Sequence, residues 1–134
     1  MPRFLTALPF LAALSIATPA SPQTAAHAAG NWHVTGDISG HAFILDCHFE
    51  PSAPHFGGTC LDNSTDGNNP VKAGKAYRLT EGTVTGNSLS WTYSVHAFLM
   101  SVDIRYAGAL SGEHITGSVS AAGRKGSFVA VRKP

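Results

Sequence analysis

From Val71 to Lys133 the chain contains no proline, and within that span its apolar residues recur at every second position. Proline removes a backbone donor, so a long proline-free stretch with period-2 patterning is what paired β-strands require. Ser88 to Leu99 puts Leu89, Trp91, Tyr93, Val95, Ala97 and Leu99 on one face, with Ser88, Ser90, Thr92, Ser94 and His96 on the other. Ser101 to Ala107 sends Val102, Ile104 and Tyr106 one way, Asp103 and Arg105 the other. His41 to Glu50 repeats the pattern, with Phe43, Leu45, Cys47 and Phe49 opposed to Ile44, Asp46, His48 and Glu50. Each segment reads as a strand with one buried face.

The reversals share a motif. Gly36 to Gly40, Gly82 to Gly86 and Gly108 to Gly112 each read glycine, polar or small, apolar, hydroxyl, glycine. Each predicts a tight reversal where glycine supplies positive φ. Strands are expected near 31–38, 41–49, 57–62, 75–80, 82–86, 88–99, 101–110, 113–120 and 125–132, the fourth and fifth being one bent strand or two. Such a meander of antiparallel neighbours in one small domain predicts an all-β, up-and-down barrel of about eight strands, because closure removes the exposed edges. Pro51 to Phe56 is expected as a rigid hairpin tip, and Asp62 to Ala73, the longest polar stretch, as a loop and a candidate lid.

The first 28 residues do not fit this pattern. Arg3 precedes an uncharged run, Phe4 to Ala17, that is too short to span a bilayer and is followed by small residues suited to signal peptidase. Residues 1–28 are therefore expected to be a secretory signal, cleaved after Ala20 or after Ala28, leaving 29–134 as a single domain. All 14 glycines lie in that domain, which argues against helices. Without Arg3 its acidic and basic residues balance, so nothing points to a nucleic-acid partner or to membrane insertion. The expected location is secreted or periplasmic, an oxidising compartment in which Cys47 and Cys60 are expected to be bridged.

Gly30-Asn31-Trp32 opens the first strand and Arg132 ends the last. This pairing resembles the calycin pattern of lipocalins and small lipocalin-like secreted bacterial domains, in which a Gly-x-Trp lies under an arginine of the final strand. The resemblance implies that Trp32 and Arg132 close the barrel bottom, where a guanidinium over an indole gains cation–π energy. The chain is also similar to periplasmic inhibitors of serralysin-type metalloproteases, which share a signal peptide, this size, a Gly-x-Trp opening and one disulfide. Those inhibitors use a free N-terminal arm, which cleavage after Ala20 would leave as Ser21 to Ala29 and cleavage after Ala28 would remove.

Chemical signatures are sparse. Six histidines remain in the domain (His33, His41, His48, His55, His96 and His114), none in a close ligand pair, and they read as surface residues; His33, His48 and His114 meeting across strands is the alternative. Asp62 to Gly67 copies the first half of a calcium loop, but Ala73 stands where the closing glutamate belongs. Asp103 and Arg105, with Ser94 or His96 on a neighbouring strand, read as an exposed ion pair or as lining for a polar cavity. No catalytic residues, metal or cofactor are assigned. Three functions compete: a binding protein for a small apolar or aromatic molecule, which is preferred; an inhibitor of a secreted protease; and a small barrel enzyme for a hydrophobic substrate. The first and third need a cavity lined by Phe43, Trp91, Tyr93 and Tyr106, the second a filled barrel.

Overall fold

The computed structural model describes residues 27–52, 54–64, 74–97 and 99–134. Nine antiparallel strands follow one another: β1 Gly30–Ile38, β2 His41–Ser52, β3 His55–Asp62, β4 Lys75–Arg78, β5 Glu81–Thr85, β6 Ser88–Ala97, β7 Met100–Ser111, β8 His114–Ala121 and β9 Arg124–Arg132. Each strand from β5 to β9 pairs with the next, β9 returns to β1, and β2 pairs with β3 to close the ring. β4 and β5 both lie along β3, β4 against Thr59 to Asp62 and β5 at His55. They are one strand bent at Leu79 and Thr80, so the ring is an eight-stranded meander barrel.

The alternation sorts side chains as the sequence predicts. Leu45, Cys47 and Phe49 of β2, Leu89, Trp91 and Tyr93 of β6, and Tyr106 of β7 are buried in a single core with Ile115, Val119 and Phe128. Outward positions such as His48, Asp103, Arg105 and Thr116 are exposed.

The two glycines of the repeated motif do different work. The second of each set, Gly40, Gly86 and Gly112, has positive φ in a tight turn. The first marks a close approach: a Cβ on Gly108 would lie 2.7 Å from the Thr116 carbonyl oxygen and 3.0 Å from the Phe128 ring. Small residues there let neighbouring backbone and rings press together.

Cys47 and Cys60 stand directly opposite in the β2–β3 register, Cα atoms 4.0 Å apart, and form a disulfide inside the barrel. Covalent closure of the loop they span restricts the unfolded chain and stabilises the fold by about 3 kcal/mol.

Two local expectations are corrected. The hairpin tip is narrower than Pro51 to Phe56, because Pro51 pairs with Phe56 and Ser52 with His55. β1 reaches only as far as Phe49 along β2, so Pro51 has a single neighbour and its missing donor leaves no second ladder unsatisfied. Leu99 was expected on the inward face of β6, which instead ends at Ala97, and Leu99 is fully exposed. β8 begins to pair with β7 only at Ile104, so the outer end of the β6–β7 hairpin projects beyond the ring.

Candidate functional site

The two ends of the barrel are built differently. At the end where β1 begins, Arg132 lays its guanidinium 4.4 Å from the Trp32 ring, with Nε 2.8 Å from a Glu113 carboxylate oxygen. Its Nη1 donates to the Ala29 carbonyl at 2.5 Å and its Nη2 to the His27 carbonyl. Trp32 is fully buried and its Nε1–H donates to the Ala28 carbonyl at 2.9 Å. Gly30, with φ of 115°, brings the chain so close that a Cβ would lie 3.1 Å from Arg132 Nη1. That accounts for a glycine two places before the tryptophan.

Above this plug lies a layer of rings. Trp91 stacks on Tyr106 at 4.9 Å with planes 7° apart, and meets Phe49 at 5.1 Å and Phe128 at 5.2 Å. Aromatic packing of this kind leaves little free volume.

Among the described residues the opposite end is open. A cavity of about 330 Å³, open to solvent on one side, is lined there by Ile38, Phe43, Leu45, Tyr93, Ile104 and Tyr106, with His41, Ala42, Asp62, Ser64 and Arg124 completing its lining. Phe43 comes from β2, Tyr93 from β6 and Ile104 and Tyr106 from β7, so pairing across the ring brings together residues far apart in sequence. Phe43 meets Tyr106 edge to face at 6.1 Å. The Tyr93 and Tyr106 hydroxyls are 2.8 Å apart, and both residues are buried. Burial chiefly raises the pKa of each phenol well above the usual value, and the Asp62 carboxylate raises both further. Both therefore stay protonated at neutral pH and serve as hydrogen-bond donors and acceptors rather than as bases.

Of the four residues expected in the cavity, Phe43, Tyr93 and Tyr106 line it, while Trp91 lies in the ring layer beneath. Asp62 and Ser64 belong to the stretch expected as a candidate lid, whereas sequence reasoning missed Ile38 and Arg124. Ile38 is the apolar member of a turn repeat, and Arg124 stands at a strand end, where alternation carries no signal. β5 and β6 part after Glu81↔Thr92, and beyond that point the gap between β4 and β6 is spanned by the Tyr77 and Tyr93 rings, stacked at 5.2 Å.

The remaining candidates lie outside the cavity. Ser94 donates to Asp103 at 2.7 Å and Arg105 is 3.9 Å from the same carboxylate, on the exposed face of the β6–β7 hairpin. Asp103 and Arg105 are thus a solvated pair and do not line the barrel cavity. His33 Nδ1 is 3.0 Å from Asp46, whose pKa is lowered first by that hydrogen bond, and Lys133 and Asn63 also contact this carboxylate. His48 bonds Asn31 at 2.8 Å instead of joining His33. No group of three or more potential metal ligands is assembled among the described residues. Asp62 accepts from the Ser64 backbone at 2.8 Å; the rest of the calcium-like sequence and the candidate lid, 65–73, lies outside the described residues, as does the segment 1–26.

Neither a family model nor a curated protein sequence matches this chain.

Proposed function

We propose that this chain is an exported, calycin-like barrel that binds a small apolar or aromatic molecule in the cavity at its open end. The observation that carries the reading is an aromatic-lined cavity at the mouth of a barrel whose other end is plugged by Trp32 under Arg132. A chain selected only for stability gains by filling such space, whereas a few polar groups at the wall of an apolar pocket are what ligand recognition requires. The buried disulfide supports an extracytoplasmic setting, in which such bonds persist. The Arg132 guanidinium over Trp32 supports the calycin resemblance.

The inhibitor reading draws less support. His27 and Ala29 bond to Arg132 and Ala28 is buried, so the chain just before β1 is held against the barrel. A free inhibitory arm would have to lie wholly upstream. The same contacts favour signal cleavage after Ala20 over cleavage after Ala28.

Native mass spectrometry of the protein purified from the cells or medium that produce it tests the reading. A co-purified molecule of a few hundred daltons, released on unfolding, is the expected result. A purely apo mass, together with inhibition of a secreted metalloprotease, would overturn it.

A further inference from the structure

The cavity wall holds one hydrogen-bond donor that no side chain among the described residues takes up. Tyr93 and Tyr106 share one hydrogen bond, so one of their two phenolic protons is spent and the other remains available in the cavity wall. Trp91, in the layer beneath, has its Nε1–H buried without an acceptor. No fully buried side chain among the described residues supplies a carboxylate or amide oxygen, and Asp62, the one carboxylate of the cavity lining, is half-buried and makes no hydrogen bond to either phenol. A buried donor without a partner costs more than a lone pair without one, because an oxygen can leave one of its two lone pairs unused. A ligand oxygen seated beside the Tyr93–Tyr106 pair would take up its unspent proton.

Charge narrows the class. Asp62 lines the same cavity, and its field on the two phenols is that of a nearby negative charge, which repels an anionic ligand from the same place. Arg124 and His41 stand at the exposed rim, where solvent screens them. Resting on the binding function proposed above, we infer that the ligand is a neutral aromatic or conjugated carbonyl compound, such as a ketone or quinone, whose oxygen accepts a hydrogen bond from the Tyr93–Tyr106 pair.

Titration followed by NMR with acetophenone, ethylbenzene and benzoate separates the possibilities, since the first two share a shape and differ in the acceptor. Ethylbenzene is the more readily expelled from water, so a ketone that binds as tightly must recover its hydrogen bond in the site. The wild-type protein is expected to bind acetophenone at least as tightly as ethylbenzene and more tightly than benzoate. Tyr93→Phe combined with Tyr106→Phe keeps both rings and removes both hydroxyls. It is expected to shift the acetophenone-to-ethylbenzene ratio of dissociation constants about tenfold against the ketone, with ethylbenzene affinity kept or improved and each single variant intermediate. A ratio unchanged by the double variant, or benzoate as the tightest probe, overturns the inference while leaving the binding function standing. Failure of all three probes to bind the folded protein overturns both.

Discussion

The base and the mouth of this barrel are made by the same alternation on the same eight-stranded ring, and they end in opposite states. At the base the polar groups of the plug are matched: Trp32 donates to Ala28, and Arg132 spends its nitrogens on His27, Ala29 and Glu113. At the mouth Phe43 and Ile104 are only half-buried, and two phenols share one bond beside a cavity. The base thus contributes stability, and the mouth leaves some unrealised. A ligand that fills it would restore that part through mass action on the folded state.

Substitutions can break this comparison. Trp32→Ala removes a fully buried indole and is expected to destabilise the protein by about 3–5 kcal/mol. Phe43→Ala, at the half-exposed mouth, is expected to cost only about 1–2 kcal/mol. Denaturant unfolding of the two variants measures the difference; equal losses would mean that the mouth is packed as tightly as the base. Replacing Cys47 and Cys60 together by Ala is expected to cost about 2–4 kcal/mol, observed as a lower unfolding midpoint that reductant no longer changes.

A smaller effect sharpens the account of the base. A chain beginning at Ala29 lacks the buried Ala28 and leaves the Trp32 Nε1–H without its acceptor, so it should be less stable than one beginning at Ser21 by about 1–3 kcal/mol. The intact mass of the exported protein should accordingly match cleavage after Ala20.

The mouth has a signature in pH. All three tyrosines of the chain, Tyr77, Tyr93 and Tyr106, have raised pKa values, each caused first by burial. In the unfolded chain they ionise near pH 10. Below that value both states hold the protons and stability is unaffected; above it the unfolded state loses them first, so stability falls as pH rises. Absorbance near 295 nm should show less phenolate in the folded protein than in the unfolded chain at pH 10. Tyr93→Phe should reduce the alkaline loss of stability, and normal titration of all three phenols would contradict the burial described.

The strands were legible because they depend on spacing alone, and the disulfide because an exported chain with two cysteines has one pairing to make. Period 2 assigns a side chain to a face, and glycine and proline mark the turns, so the ends of β1, β2 and β6 to β9 fall within a few residues of expectation. Height along the barrel axis was not legible. Trp91 and Tyr106 sit opposite each other in the register, yet Tyr106 reaches the cavity and Trp91 lies below it. Alternation says that both point inward but not how the stagger of the ring places them. The same limit explains Leu99, whose position continues the inward series of β6 after the ring has ended.

The central claim is that one end of the barrel receives a small molecule and the other is solid. Amide and indole NMR shifts during titration with acetophenone test it most directly. The account predicts changes confined to Ile38, Phe43, Leu45, Tyr93, Ile104, Tyr106 and their neighbours, with the Trp32 indole and the Arg132 amide unmoved. Shifts centred on Trp32 and Arg132, or none anywhere at saturating probe, would contradict it.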